Sequence, residues 1–216
     1  MDVLGIYERL LTYFGRQGWW PAKDKFEIIV GAILTQQTTW RAAEKGIEGL
    51  REAGLLSPER LAEAKLEDVE RLIRGTGFYR QKARNLIGVA KYLVDNYHGS
   101  LDLFFNRPLE EVRRELLSLK GIGYETADSL LLYIGGKPIL PIDAYTQRIF
   151  DRLGLKIRGY EELQTYLSKV LPKDLEIYKE FHALLVELGK NFCRKNPICP
   201  PCPLREICEY GKEREG

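Results

Sequence analysis

Apolar side chains recur at helical spacing along almost the whole chain. One stripe runs through residues 3–14 and stops at Gly15, and a more thoroughly apolar stretch covers 26–35. Recurrence every three or four residues is the pattern of a helix with a buried face. The same spacing predicts further helices near 67–74, 79–96, 108–118, 124–134, 144–153, 160–171 and 174–191.

No stretch of the chain alternates apolar and polar residues as a strand would. Ser57-Pro58 predicts one more helix start, because serine caps helices and proline suits their first turn. Ile139-Leu140 lies between two prolines, which suits an extended connector. The sequence therefore predicts an all-α protein, and its 216 residues suffice for one or two domains with a hydrophobic core.

The charge balance excludes several classes of protein. Thirty-three Lys and Arg residues oppose thirty-one Asp and Glu residues, so the net charge is only +2 although 30% of the residues are charged. These numbers exclude a disordered tail, a collagen-like repeat and a strongly cationic polyanion binder. The chain shows neither a signal-peptide pattern nor a membrane-spanning apolar run, so we expect a cytoplasmic protein that binds no membrane.

All four cysteines lie close together near the C-terminus. They have the spacing C-x5-C-x2-C-x5-C and are Cys193, Cys199, Cys202 and Cys208. Four thiolates in one short, proline-bent loop suit a [4Fe–4S] cluster or a zinc ion. Structural zinc sites usually have two close cysteine pairs and this chain has one, so the spacing favours the cluster. Zinc, disulfides and free thiols are the alternatives.

Two predicted helices meet at a Gly-x-Gly turn, Lys120-Gly121-Ile122-Gly123. Glycines permit a tight turn, and the backbone N–H groups at a helix start attract anions. The turn therefore predicts a site for a phosphodiester without sequence preference. An ordinary hairpin of two helices with a glycine turn is the alternative interpretation.

Asp143 opens the predicted helix 144–153, shortly after the proline-bounded connector. An Asp in this place acts as an N-cap, whose side chain accepts a backbone N–H. The same carboxylate can also face a cleft, so a capping role and a chemical role can coexist.

The glycine hairpin, the downstream Asp143 and the four final cysteines occur in an order that resembles the helix-hairpin-helix DNA glycosylases. The resemblance is to the endonuclease III branch with a C-terminal iron–sulfur loop, and it covers essentially the whole chain. It implies two helical lobes with a cleft between them, one formed by 22–135 and the other by 1–21 with 136–216. Hairpin and Asp143 would lie at the mouth of the cleft, and 193–208 would hold the cluster.

The same resemblance implies an activity and a partner. Asp143 would be the catalytic residue of a base excision repair enzyme that flips a damaged base out of double-stranded DNA and hydrolyses its N-glycosidic bond. We expect a nucleoid-associated monomer. Lys120, Gly121, Ile122 and Gly123 would contact the DNA backbone.

Three positions depart from the pattern of that branch. The first cysteine gap is five residues instead of six, and Lys120 replaces the usual proline of the hairpin. Members that also cleave the strand carry a lysine two residues after the second glycine, where this chain has Glu125. A Schiff base with the sugar requires an amine, which a carboxylate cannot supply. The resemblance therefore implies a monofunctional glycosylase without AP-lyase activity.

The tryptophans suggest which base is removed. Trp20-Pro21, Trp40 and the surrounding motifs look most like those of bacterial 3-methyladenine glycosylases of the endonuclease III type. That similarity implies a base pocket formed by Trp20, Pro21, Trp40 and Glu125. An indole face attracts a cationic base by about 0.5–2 kcal/mol. Such a base leaves readily, so Asp143 would only stabilise the developing cation or activate water. Packing of the tryptophans in the core is the alternative.

Two further features are expected to contact DNA. The similarity to those glycosylases implies that Gln37 fills the gap left by the extruded nucleotide, with a solvent-facing helix end as the alternative. Residues 71–91 contain no acidic residue and six cations, namely Arg71, Arg74, Arg80, Lys82, Arg84 and Lys91. Local charge is what phosphates sense through a Debye length of about 8–10 Å. A solvated helix face balanced by nearby acidic residues is the alternative.

Three functions stay open on the sequence alone. The first is the monofunctional alkylpurine glycosylase, and the second is an endonuclease III-like glycosylase and AP lyase acting on oxidised pyrimidines. The third is a non-catalytic iron–sulfur module that binds DNA. His98 and His182 have no partner at ligand spacing, so both are expected to be structural.

Overall fold

The chain divides into two compact units in the computed structural model, which describes residues 1–213. One unit consists of Met1–Trp19 and Gly136–Gly216, and the other of Trp20–Gly135. All regular elements among the described residues are helices, which confirms the all-α prediction. Residues 214–216 of the second predicted lobe lie outside this described part. Nowhere in 1–213 is a helix both long and apolar enough to cross a membrane.

Thirteen α-helices and two short 3-10 helices follow one another along residues 1–213. The 3-10 helices are Arg74–Thr76 and Arg205–Ile207. The α-helices are α1 (Val3–Phe14), α2 (Lys25–Leu34), α3 (Trp40–Glu52), α4 (Pro58–Ala62), α5 (Leu66–Leu72), α6 (Tyr79–Tyr97), α7 (Leu101–Phe105), α8 (Leu109–Ser118), α9 (Tyr124–Tyr133), α10 (Ala144–Arg152), α11 (Tyr160–Val170), α12 (Leu175–Asn191) and α13 (Glu209–Lys212). Every predicted helix is present, with ends that differ from the prediction by at most two residues.

Three helices, α3, α7 and α13, are missed by the periodicity analysis. Helix α3 buries one face, but that face includes Ala43 and Gly46, so its apolar stripe is weak in sequence. A Cβ on Gly46 would lie only 3.1 Å from Leu34 and 3.2 Å from Thr76. The small residues are therefore needed for close packing of α3 on its neighbours. Helices α7 and α13 are too short to show a helical period.

Helix α2 forms the centre of the unit Trp20–Gly135. All of its residues from Phe26 to Leu34 are buried, and it packs on α3, α6 and α9. Asp24 begins the helix by accepting a hydrogen bond from the backbone N–H of Glu27 at 2.9 Å. A helix buried on every side must have polar partners for its terminal backbone groups, because unpaired groups in the interior are costly.

Helix α12 has the same central position in the other unit. It packs on α1 and α10, and most of its residues from Tyr178 to Gly189 are buried. The Phe181 ring meets Tyr7 of α1 and Phe150 of α10 edge to face, with centroid distances of 5.8 and 6.3 Å. The extended segment 137–143 leads into α10, as the prolines on either side of Ile139-Leu140 predict.

A single carboxylate joins α6, α8 and the segment between α7 and α8. Glu115 accepts hydrogen bonds from the hydroxyls of Tyr92 and Tyr97, at 2.7 and 2.6 Å, and from Arg107 Nη1 at 2.7 Å. Burial raises the pKa of Glu115, but the three hydrogen-bond donors lower it by a larger amount. The pKa therefore falls to about 2. The folded state therefore stabilises the ionised form of this carboxyl.

We expect Glu115→Gln to lower the free energy of unfolding at pH 7 by about 2 kcal/mol. Because the folded-state pKa is depressed, the ionised carboxylate contributes fully above its ordinary pKa of 4.5, and the contribution is lost as the pH falls towards 2. Urea denaturation at pH 7 and pH 3 measures this. Glu111→Gln, at a half-exposed site 3.9 Å from Arg107, is the control and should cost less than about 0.5 kcal/mol. A Glu115→Gln cost that does not shrink in acid would contradict the assignment.

Candidate active site

The predicted glycine hairpin connects α8 to α9 by residues 119–123. Gly121 has a φ of +88°, and the Ile122 N–H closes the turn on the carbonyl of Leu119 at 3.2 Å. A side chain on Gly121 would collide with Asn85 of α6. Gly123 and Lys120 are exposed, whereas the Ile122 side chain is buried. Ile122 therefore anchors the turn through both its buried side chain and its backbone N–H.

Gln36, in the turn that follows α2, supports the hairpin, a role that the sequence analysis did not assign. Its side-chain Nε2 donates to the carbonyl of Gly121 at 2.9 Å and to Thr126 Oγ1 at 3.1 Å. One contact fixes the turn and the other fixes the first turn of α9. The chain segment that carries Gln37 is therefore tied directly to the glycine hairpin.

A buried ion pair sets the position of α9 against α8. Arg113 donates from Nε and Nη2 to the two carboxylate oxygens of Asp128, at 2.7 and 3.1 Å, and Asp128 is fully buried. The same guanidinium lies 5.2 Å from the ring centre of Tyr124, the first residue of α9. A forked guanidinium–carboxylate contact restricts orientation as well as distance. Glu125 is exposed in the first turn of the helix that this pair positions.

The predicted pocket aromatics Trp20 and Trp40 lie together in the unit Trp20–Gly135. Their ring centroids are 5.9 Å apart at 74°, and Trp20 meets Tyr133 at 5.5 Å and 68°. Gly31 gives Trp20 room against α2, because a Cβ there would lie 3.4 Å from the indole. The rings form an edge-to-face corner and not two parallel plates. Both tryptophans are half-buried, and Pro21 is exposed.

Two exposed residues of this unit have backbone angles that residues other than glycine rarely adopt. Gln37 has a φ of +53° and Phe78 a φ of +46°. Phe78 exposes 68% of its surface although it is a large apolar residue. The sequence analysis did not single it out, and its position just before a helix among arginines is the signal that could have done so. An exposed apolar ring of this kind can wedge between DNA bases.

The cations of the basic stretch 71–91 differ from one another in exposure and in the groups that they contact. Arg71 pairs with Asp68 at 2.9 Å, while Arg74 and Arg80 lie 6.0 and 5.7 Å from the Tyr79 ring centre. Lys82 is only 3% exposed. The expectation that Lys82 contacts DNA is therefore wrong, because its ammonium group is enclosed by the protein. Arg80 is exposed, as a phosphate contact requires.

Asp143 caps α10 in the other unit and is almost completely buried. Its Oδ1 accepts the backbone N–H of Thr146 at 2.7 Å, as the N-cap interpretation predicts. Its Oδ2 lies 3.5 Å from His182 Nε2. Burial raises the pKa of Asp143, but His182 and Thr146 lower it more, so the pKa ends below its ordinary value. The protein therefore holds this carboxyl in its ionised form.

His182 has a partner that sequence spacing could not reveal. It comes from the middle of α12, is 5% exposed, and meets the Trp19 ring edge to face at 6.0 Å. The backbone before Trp19 is fixed to the same helix, because Glu180 accepts the N–H groups of Gln17 and Gly18 at 2.8 and 3.0 Å. The carboxylate of Asp143 therefore lies in a rigid environment made by three separate chain segments.

The four cysteines line one small cavity in the C-terminal segment, and each is half-buried. Arg152 of α10 braces the loop that holds them. Its Nη1 donates to Cys193 Sγ at 3.3 Å and to the carbonyl of Arg194 at 2.6 Å, and its Nη2 donates to that of Lys195 at 3.1 Å. Arg148 adds a bond to the carbonyl of Cys193 at 2.8 Å.

The chemistry of this donor set fits a polynuclear iron–sulfur group. A [4Fe–4S] cube takes one thiolate at each of four irons, and all four cysteines line one cavity. Across residues 1–213 no three Cys, His, Asp or Glu side chains are grouped so that they could hold a metal ion as they stand. Burial raises the pKa of Cys202 to about 11. Loading the site must therefore displace thiol protons.

The hairpin and Asp143 both lie within a segment of the chain that matches a known family of repair proteins. Residues 30–173, about two thirds of the chain, match the HhH-GPD superfamily of base excision DNA repair proteins. The chain belongs to the HhH-GPD superfamily. This confirms the resemblance on which the expected fold and activity rest.

Relatives within the HhH-GPD superfamily are similar over nearly the full length. A protein of Methanocaldococcus jannaschii, provisionally named a DNA repair glycosylase, is 45% identical over 209 residues, or 95% of each chain. Endonuclease III of Thermotoga maritima is 36% identical over 194 residues, which cover 88% of this chain and 85% of that one. The protein is thus a base excision DNA glycosylase of the endonuclease III family.

Solved HhH-GPD structures share the fold. A trapped covalent intermediate of endonuclease III with DNA has a TM-score of 0.85 at 28% identity, covering 98% of this chain and 96% of that chain. The H. pylori 3-methyladenine DNA glycosylase bound to 1,N6-ethenoadenine has a TM-score of 0.78, also at 28% identity, and covers 88% and 98%.

The geometry of the HhH-GPD hairpin predicts a sharp difference between its glycines. Gly121→Ala should lower the free energy of unfolding by about 2 kcal/mol, since it combines a positive φ with a collision against Asn85. Gly123→Ala should change it by less than about 0.5 kcal/mol, because its φ of −94° is ordinary and its Cβ would meet open space. Chemical denaturation of both variants measures this, and equal costs would refute the proposed close approach to Asn85.

Proposed function

We propose that this protein is a monofunctional DNA glycosylase that removes alkylated purines such as 3-methyladenine from double-stranded DNA. The buried carboxylate of Asp143, with its depressed pKa, is the observation that carries the catalytic proposal. Cleavage of an N-glycosidic bond develops positive charge on the sugar, and a fixed carboxylate stabilises that charge without reorganising. 3-Methyladenine is already cationic in DNA and leaves as a neutral base, so the mechanism requires no general acid for this substrate.

Asp143 acts in this mechanism as an electrostatic stabiliser or as the base that activates water. The two roles share one requirement, which is that the carboxyl be ionised at neutral pH. The Thr146 N–H engages Oδ1 and His182 faces Oδ2, so the orientation of the group is fixed before DNA binds. We assign His182 the role of a positioning residue for the Asp143 carboxylate.

Asp143→Asn should reduce excision of 3-methyladenine from methylated DNA by at least about a hundredfold and leave DNA affinity nearly unchanged. Asparagine keeps the N-cap but removes the charge. Asp174→Asn is the matched control, because Asp174 caps α12 in the same way, accepting the Ile177 N–H at 2.9 Å, and is exposed. Release of the base is followed by chromatography. Equal activity of the wild type and Asp143→Asn would exclude the catalytic role.

The absence of AP-lyase activity is proposed from Glu125. A lyase forms a Schiff base through an amine, and an exposed glutamate stands in the first turn of α9 at the family's lysine position. We expect borohydride to trap no covalent adduct between the protein and DNA with an abasic site. T. maritima endonuclease III serves as the comparison in the same assay. A trapped adduct would favour the alternative function, a glycosylase and lyase acting on oxidised pyrimidines.

The aromatic corner of Trp20, Trp40 and Tyr133 supports a cationic base as substrate. An exposed ring face of such a cluster attracts a cation, and a base can stack on that face after leaving the duplex. The similarity to the H. pylori 3-methyladenine DNA glycosylase bound to 1,N6-ethenoadenine supports a modified purine as the substrate. We further assign Pro21 and Glu125 to the pocket. Excision assays on a panel of alkylated purines and oxidised pyrimidines decide between the two substrate classes.

DNA is held in this proposal by local groups, since the net charge is only +2. The first N–H groups of a helix have no partner within the helix, so the start of α9 at Gly123 offers an anion site beside the turn at Gly121. Lys120 and Arg80 add exposed cations, while Gln37 and Phe78 probe the base stack. Such an arrangement implies a few phosphate contacts and a correspondingly modest salt dependence of binding.

We propose a [4Fe–4S] cluster bound by Cys193, Cys199, Cys202 and Cys208, with zinc as the alternative. Anaerobically purified protein should contain about four irons and absorb in the visible range from thiolate-to-iron charge transfer. Cys199→Ser should lose iron, whereas Arg205→Gln, beside the same cavity, should retain it. Metal analysis measures both variants. One zinc per chain without visible absorbance would overturn the cluster assignment.

A further inference from the structure

Lys82 of α6 makes two contacts that bear on the DNA-probing residues. Its ammonium group donates to the carbonyl of Leu34 at 2.9 Å and to that of Thr76 at 2.7 Å. Leu34 is the last residue of α2, and Thr76 ends the 3-10 helix before α6. Among residues 1–213 no carboxylate forms an ion pair with it, and burial lowers the pKa of Lys82. The group is therefore a buried cation held by backbone oxygens alone.

The two segments joined by this ammonium group each carry an exposed residue with a left-handed backbone. Gln37 follows Leu34 by three residues, and Phe78 follows Thr76 by two. Only one other non-glycine residue in the described part of the chain, His98, has a positive φ. Such conformations are unfavourable for residues with side chains and persist only where the surroundings impose them. The contact at Lys82 supplies that constraint for both segments at once.

An ammonium group suits this place for an electrostatic reason. The C-terminal carbonyls of a helix carry partial negative charge and have no partner within the helix, so a cation there is stabilised. The backbone N–H of Lys82 also donates to the carbonyl of Phe78 at 3.0 Å. One residue therefore binds the end of α2, the end of the 3-10 helix and the left-handed residue itself.

We propose that Lys82 is a positioning residue that holds Gln37 and Phe78 in fixed relation, so that the two side chains enter the DNA as a pair. This inference rests on the proposed function, because it assumes that both residues probe the base stack. It assigns the lysine a role other than phosphate binding. Without the ammonium group, the two segments lose their common attachment and each side chain acts independently.

The test measures whether Gln37 and Phe78 depend on Lys82. Binding to a duplex with a stable abasic-site analogue is measured for Gln37→Ala and Phe78→Ala, each in the wild-type and in the Lys82→Met background of the full chain. We expect each truncation to weaken binding about tenfold in the wild-type background and less than about twofold with Lys82→Met. Lys82→Met alone should weaken binding about tenfold or more. Additive losses would overturn the proposal, since they would give Lys82 only a structural role.

The salt dependence of binding separates positioning from phosphate contact. Lys82→Met should leave the slope of log affinity against log salt unchanged, while Arg80→Met, which removes an exposed cation from the same helix, should reduce it by about one. A reduced slope for Lys82→Met would overturn the positioning role. Lys82→Gln, which keeps a donor, replaces Lys82→Met if the latter does not fold. If neither truncation weakens binding in the wild-type background, the DNA-probing role in the proposed function fails instead.

Discussion

A helix buried on all sides must find hydrogen-bond partners for its last carbonyl oxygens. In the unit Trp20–Gly135, this requirement determines where polar side chains lie around the end of α2. Lys82 binds the carbonyl of Leu34, and the Thr35 hydroxyl binds that of Gly31 at 2.8 Å. Gln36, which comes next, reaches the glycine hairpin. The side chains that bind the last carbonyl groups of α2, together with Gln36, therefore also hold the candidate DNA-binding groups in place.

The sequence predicts features that depend on neighbouring residues, but it does not predict contacts between residues that are far apart in the chain. Helix ends and the N-cap of Asp143 follow from neighbouring residues and were predicted. The partners of Gln36, Lys82 and His182 lie 85, 48 and 39 residues away in sequence, so no spacing rule could identify them. Lys82 shows the limit most clearly. In a run of cations it is indistinguishable from Arg80, and only burial separates a structural cation from one that is free to meet a phosphate.

The positions of the cations in the structure show that many of them are not available to bind DNA. Several of them serve the protein itself: Arg113 pairs with a fully buried carboxylate, Arg107 binds Glu115, and Arg51 meets Glu27 at 2.8 Å. These residues fix helices against one another and cannot also neutralise DNA. The count of 33 Lys and Arg residues therefore overstates the number of cations available for binding. The exposed groups near the hairpin and Phe78 matter because they are few and well placed.

Helix α10 carries Asp143 at its N-terminal end and the guanidinium of Arg152, which braces the cysteine loop, at the other. Nine residues of α-helix span about 13 Å, and an α-helix is stiff over that length. A disturbance of the cysteine loop at the distal end of this helix would leave the carboxylate in place, because the Thr146 N–H and His182 hold Asp143 at the other end. The chain thus separates its cysteine loop from the candidate catalytic carboxylate by a rigid spacer.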